Sequence, residues 1–239
     1  MYKNKKVSLI FPSYNEEEGI SKAISEFQNT NFVDEIIAVD NNSTDQTAEL
    51  IKKSNAKYVL EKIQGYGSAI RRGLKESTGE LLIITEPDGS FTAQDLERML
   101  PFTDKFDCVF GTRTSKAYIE EGAKMNFLLR LGNIVVAKLL SILYPSINFT
   151  DVGCTYKILS RKSYDKIENQ LEVVGSELSP EIMVRIILAK QTIKEIPVTY
   201  KERSGESKIT KDFISTAILA IKMIKLIVLI RVKSFFKSN

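Results

Sequence analysis

Apolar runs alternate with helical patterns through roughly the first half of the chain. "KVSLIFPSY", "DEIIAVDN", "KYVLE", "ELLIITEPD" and "FDCVFGTR" read as strands. Between them lie a helix from about Glu17, then "STDQTAELIKKS" with Ser43 or Thr44 available to cap its start, then "GSAIRRGLKES" and "TAQDLERMLPF". This rhythm predicts an α/β fold: a Rossmann-like, mostly parallel sheet with helices on both faces.

Ligands of such sheets sit at the carboxyl ends of the strands. Four polar clusters occupy those ends: Pro12 to Glu16, Asp40 to Asp45, Glu86 to Asp88, and Thr112-Arg113. Asp40, directly after "IIAV", either accepts hydrogen bonds from a base or ribose or caps the helix that follows. In "ITEPDGSF" two carboxylates separated by one proline would repel unless a cation lay between them, although Pro-Asp-Gly is also ordinary turn chemistry. Gly65 and Gly67 open a helix and would let its backbone approach a phosphate. The motif lacks the full dinucleotide fingerprint and does not follow the first strand, which excludes an NAD site.

Composition narrows the chemistry. With 239 residues, 43% hydrophobic and 27% charged, the chain can bury the core of one large domain, with or without an appendage. It contains no histidine, so Ser-His-Asp and Cys-His machinery and histidine metal sites are excluded. Acids, bases and metal ligands must be carboxylate, lysine, tyrosine or cysteine. Cys108 and Cys154 lack CxxC spacing and read as small core residues in a reducing compartment. The net charge of +4 is too small to argue for nucleic acid. "MYKNKKVSLIF" passes from lysines straight into a strand, so no secretory signal is expected.

"SLIFPSYNEEEGI", "IIAVDNNSTDQTAEL", "GYGSAIRRGL", "ELLIITEPDGSF", "FGTR", "TDVGCTYKILSRK" and "IKEIPVTYKERSGESK" resemble, in order, the blocks of family 2 glycosyltransferases with the GT-A fold, and among these the polyprenyl-phosphate sugar synthases such as dolichyl-phosphate mannose synthase. The resemblance covers roughly residues 5 to 210. It implies that "EPD" is the DxD-type motif, with Asp88 and Glu86 holding Mg²⁺ or Mn²⁺ against the diphosphate of a nucleotide-sugar, as suits a hard cation. Glu86 departs from the usual Asp. The resemblance also implies that Pro12, Tyr14, Glu16, Asp40 and Arg71 serve the nucleotide-sugar. Asn41 stands where the family commonly carries a second acid. Arg113, Arg203, Ser207 and Lys208 would bind acceptor or phosphate, and Arg113, Asp88 and Asp151 would be the catalytic set. Asp151, placed at the start of an apolar strand, is the base if the acceptor is an alcohol. With an acceptor that is already a phosphate it orients groups or is structural.

The final stretch, "TKDFISTAILAIKMIKLIVLIRVKSFFKSN", is interrupted by Lys222, Lys225 and Arg231 and holds no uninterrupted apolar run near the ~20 residues a span needs. At about 100° per residue Lys211, Ser215, Lys222, Lys225 and Lys233 form one stripe, interrupted by Ile218 and Leu229, with apolar faces around it. Such a helix lies in a membrane interface or packs on the domain or in an oligomer. "FLLRLGNIVVAKLLSILY" is either a second membrane-near surface or core. The expected organisation is a GT-A domain over residues 1–210 and an amphipathic helix over 211–239, with 211–236 touching the membrane. The expected activity is metal-dependent, inverting transfer of a sugar to a polyprenyl phosphate by a peripheral protein on the cytoplasmic face. The alternatives are a saccharide or other membrane-associated acceptor, or a silent nucleotide-sugar-binding subunit.

Overall fold

The computed structural model describes residues 1–123, 127–145, 148–204 and 213–237. The five expected strands form as β1 (Val7–Ser13), β2 (Glu35–Asp40), β3 (Lys57–Leu60), β4 (Leu81–Ile84) and β5 (Cys108–Thr112). The second half adds β6 (Lys157–Ser160) and β7 (Ile193–Pro197). All seven join one sheet in the order β3-β2-β1-β4-β6-β5-β7. Neighbours run parallel except β6, which is antiparallel to both β4 and β5.

Alternation along the strands divides the core into two layers, because successive side chains leave a strand on opposite faces. Val7, Leu9 and Phe11 of β1, with Leu81 and Ile83 of β4, pack on one face with α1 (Ile20–Gln28) and α4 (Asp95–Met99). Ile10, Leu82 and Ile84 point the other way. They join Leu74 of α3 (Tyr66–Glu76), Leu140 of α5 (Phe127–Leu143), Ile182 of α7 (Leu178–Leu188), and Met223, Ile227 and Ile230 of α8 (Phe213–Lys237). α2 (Thr47–Lys53) and α6 (Arg161–Ile167) complete the helices. Both cysteines are free and buried.

Several local expectations are corrected. α1 begins at Ile20, not Glu17, because residues 16–19 form a turn in which the Gly19 and Ile20 amides donate to the Glu16 carbonyl. A Cβ on Gly19 would lie 2.6 Å from the Pro87 carbonyl oxygen, so glycine lets this turn abut the acidic motif. Neither Ser43 nor Thr44 caps α2, which starts at Thr47; the Gln46 amide donates instead to the Glu17 carboxylate and the Thr47 amide to that of Asp45. Asp151 lies in the loop before β6, not at the start of a strand. Its carboxylate takes the Gly153 and Cys154 amides, the donors a strand would spend on a neighbour.

One face of α8 is packed. Met223, Ile227 and Ile230 are nearly inaccessible, and the Tyr144 hydroxyl after α5 donates to the Ile227 carbonyl at 3.0 Å. The opposite face leaves Ile214, Ile218, Ile221, Leu229, Val232 and Phe236 exposed.

Candidate active site

The carboxyl ends of β1, β2 and β4 surround one cavity. β1 and its continuation contribute Pro12, Ser13, Tyr14 and Glu16; the end of β2 contributes Asn41; the loop entering α3 and its first turn contribute Gln64, Tyr66 and Ala69. Glu86, Pro87 and Asp88 follow β4, and Arg203 arrives from the segment after β7. Three of the four expected clusters therefore meet. The fourth, Thr112-Arg113, does not line the cavity.

The acidic motif is held as a tight turn. Asp88 Oδ1 accepts the Ser90 amide at 2.9 Å, its carbonyl accepts the Ser204 amide at 2.7 Å, and Gly89 takes φ +78°. Oδ2 is buried and has no hydrogen-bond partner among the described residues. Arg203 Nη2 lies 3.1 Å from it without hydrogen-bond geometry, so the contact is ionic. The same guanidinium group stands 3.9 Å from Glu16. Burial, followed by the charge of Asp88, pushes the Glu86 carboxyl up to about 8, against the opposing pull of Arg203 and Arg113.

These features suit a hard divalent cation: one buried carboxylate oxygen lacks a donor, and a second carboxyl is reluctant to ionise unless positive charge arrives. Among the described residues no three His, Cys, Asp or Glu side chains converge to form a complete protein site. Glu86 and Asp88 would supply two ligands and leave the rest of the shell to substrate oxygens and water, the usual habit of Mg²⁺.

Arg113 and Asp151 form a separate buried unit beside the cavity. Arg113 Nε and its amide both donate to Asp151 Oδ2, and Nη2 donates to Oδ1 at 3.0 Å. The Gly153 and Cys154 amides also donate to Oδ1. Burial alone would raise the Asp151 pKa, but the charge and hydrogen bonds of Arg113, with Lys157 behind them, hold it below the usual carboxylate value. Its amide and that of Thr150 are fixed by Glu195 of β7.

Two nucleotide-side residues, Asp40 and Arg71, and the glycine pair are engaged elsewhere. Asp40 is buried, accepting the Ser43 amide at 3.0 Å and the Tyr58 hydroxyl at 3.3 Å, and it does not line the cavity. Arg71 donates to the Glu172 carbonyl at 3.1 Å and also lies off the cavity. Gly65 and Gly67 face protein rather than open space. The Gly67 amide donates to the Val174 carbonyl at 2.7 Å, and a Cβ on either glycine would collide with residues 173–175. The expected close approach is real, but its partner is a peptide, and the helix terminus it occupies is unavailable to a phosphate. Ser207 and Lys208 lie outside the described residues.

Sequence reasoning missed the inward positions of Gln64, Tyr66 and Ala69, and the work of Asn41. The Asn41 amide donates to the carbonyls of Glu61 and Ile63 at 2.9 and 2.8 Å, and its oxygen accepts the Gly65 amide at 2.7 Å. It clamps the loop that carries Gln64. An Asp could not donate to two carbonyls, which gives Asn41 a reason in this chain independent of any missing charge.

A seven-stranded, mostly parallel α/β sheet with an acidic turn at its ligand edge is a GT-A-like fold. The Glycosyl transferase family 2 profile matches residues 8–168, and the chain belongs to that family. It is 30% identical over 207 residues to a dolichyl-phosphate hexose transferase of Haloferax volcanii, covering 85% of this chain and 86% of that one. It is 28% identical over 221 residues to a dolichol-phosphate mannosyltransferase of Pyrococcus furiosus, covering 85% of this chain but 59% of the relative. Among solved structures, glucosyl-3-phosphoglycerate synthase of Mycobacterium tuberculosis with Mn²⁺, UDP-glucose and phosphoglyceric acid superposes with a TM-score of 0.73 at 15% identity, covering 95% of this chain and 80% of the other. The protein is therefore a glycosyltransferase of the hexosyltransferase kind.

Proposed function

We propose that the protein transfers a hexose from a nucleotide-sugar to a polyprenyl phosphate, with inversion, aided by Mg²⁺ or Mn²⁺. The observation that carries the acceptor class is the saturation of Asp151. Five N–H donors converge on its two oxygens and its pKa is held low, so it is a poor proton acceptor. A phosphate acceptor needs no base. The names of the dolichyl-phosphate relatives favour the same class.

In this reading Pro12, Tyr14 and Glu16 flank the nucleoside, with Asp40 and Asn41 behind them as supports. The acceptor oxygen attacks the anomeric carbon as the bond to the nucleoside diphosphate breaks on the opposite face. A bound cation would lend charge neutralisation to the departing diphosphate. Glu86 and Asp88 would hold it, and Arg203, beside Asp88, lies where a guanidinium can pair with phosphate oxygens. Ser207 and Lys208 would extend that basic loop. The Arg113–Asp151 unit keeps the wall next to the acceptor rigid.

Residues 1–210 carry catalysis in this scheme, and the segment 211–236, which holds most of α8, meets a membrane at its cytoplasmic face. The support is the exposed apolar face of α8 together with Lys222, Lys225, Arg231 and Lys233 and the absence of any acid between residues 213 and 237. Among the described residues no helix is long and apolar enough to cross a membrane.

The test is transfer by purified protein with Mn²⁺, a panel of nucleotide-sugars, and three acceptors: a polyprenyl phosphate, the matching polyprenol, and free saccharides. Product is expected with the phosphate alone. Equal use of the polyprenol would overturn the anionic-acceptor reading, and binding of donor without turnover on any acceptor would favour a silent subunit.

A further inference from the structure

Six of the seven buried side-chain polar atoms without a hydrogen-bond partner among the described residues come from residues in or near the acidic turn: Tyr66, Thr85, Asp88, Ser90, Thr155 and Arg203. Native proteins rarely leave such groups unpaired, and where they cluster a ligand is the usual completion. Asp88 and Arg203 have charged neighbours. The Tyr66 phenol stands apart: it is neutral, it lines the cavity with Glu86 and Asp88, and among the described residues its buried hydroxyl has the Thr155 hydroxyl as neighbour but no partner in good hydrogen-bond geometry.

We infer that the Tyr66 hydroxyl, with the neighbouring Thr155 hydroxyl, binds the hexose of the donor and so reads the sugar rather than the nucleotide; the inference rests on the glycosyltransferase reading above. Tyr66 is the first residue of α3, fixed between Gly65 and Gly67, whose contacts with residues 173–175 leave that turn little freedom. Thr155 belongs to the loop that leads from Asp151 into β6, so the two hydroxyls come from different elements.

The surroundings favour a sugar over a phosphate. Burial, then the charges of Glu86 and Asp88, push the phenol well above its ordinary pKa, so it remains an O–H donor. The Asp88 carboxylate nearby disfavours an anion placed directly on the phenol. A sugar hydroxyl both donates and accepts, matching a phenol and an alcohol, and the tyrosine ring, with Ala69 and Pro12 also on the lining, offers apolar surface to sugar C–H groups.

The experiment compares Tyr66→Phe, Thr155→Val and Thr155→Ser with the parent by titration calorimetry in Mn²⁺, using UDP against UDP-glucose and GDP against GDP-mannose. The parent should bind one sugar conjugate more tightly than its bare diphosphate. Tyr66→Phe should lose about threefold to tenfold of affinity for that conjugate and none for the diphosphate, as expected for one neutral hydrogen bond. Thr155→Val should act in the same direction, and Thr155→Ser should restore binding. A simple packing role would not give this split, and Tyr66→Phe should melt close to the parent because the hydroxyl it removes makes no well-formed hydrogen bond among the described residues. Equal loss for diphosphate and conjugate, or no change in a parent that discriminates, would overturn the inference alone. A parent that binds none of the four ligands would overturn the donor reading together with it.

Discussion

Arg113 and Asp151 meet through two parallel side-chain contacts of 2.9 and 3.0 Å, and both groups are almost fully buried. Breaking one side of such a pair leaves a charge without compensation, at a cost of about 3–5 kcal/mol. Asp151→Asn should therefore lower the melting temperature sharply, with activity falling in step. Arg113→Lys should fail to rescue, since an ammonium cannot make the paired contacts. Thermal unfolding alongside kcat decides the matter: an Asp151→Asn protein of native stability and no turnover would return Asp151 to the role of base.

Asp88 differs because its buried Oδ2 accepts no hydrogen bond among the described residues and meets only the charge of Arg203. Asp88→Asn should preserve the fold and cut metal-dependent transfer by about 100-fold or more, the equivalent of several kcal/mol of lost charge stabilisation. Glu86→Gln should cost less. Turnover measured across a Mn²⁺ series checks both, and near-native rates for Asp88→Asn at limiting metal would remove it from the ligand set.

Glu86 also gives the ligand-free protein a pH signature. Its folded pKa, about 8, lies above the ordinary 4.5, so between those values the unfolded chain releases a proton that the native chain keeps. The contribution is fully present below about pH 4.5 and is lost as pH rises toward 8, with a slope of at most about 1.4 kcal/mol per unit. Denaturant titrations of the metal-free protein from pH 5 to 8 should show this decline relative to Glu86→Gln, which removes the group. Identical slopes in the two proteins would show that Glu86 ionises normally.

The membrane reading rests on α8. Changing Lys222, Lys225 and Lys233 to Glu should move the protein from anionic liposomes to the soluble fraction, since each basic residue near the surface contributes about 1 kcal/mol. The three side chains are exposed and largely clear of the core, although Lys222 stands 3.7 Å from Glu177, so folding should survive. Co-sedimentation with vesicles of defined anionic content reads the effect. Unchanged partitioning would assign the apolar face to another partner.

The sheet was legible because its first five strands are short apolar runs with clear punctuation, and the acidic turn because Pro-Asp-Gly fixes its place at a strand end. "TDVGCTY" misled for a definite reason. Val152, Cys154 and Tyr156 are all buried with the period of a strand, yet the Asp151 carboxylate withdraws two of the amides that pairing would require. Arg71 and the glycine pair show a different limit. Local pattern puts both at a ligand, but both are taken by residues 172–175, a hundred positions away in sequence, where that pattern carries no information.

The antiparallel seating of β6 affects how the chain reaches its folded state. β4, a four-residue apolar strand reading Leu-Leu-Ile-Ile, has β1 on one side from early in synthesis, but its other edge stays bare until residues 157–160 leave the ribosome. A chain halted between the two carries an open, sticky edge at the centre of the future sheet, which favours pairing with another nascent chain. Arg203 arrives later still. The charge facing Asp88 is thus among the last parts assembled, and fragments ending before β6 should depend on chaperones that the finished protein no longer needs.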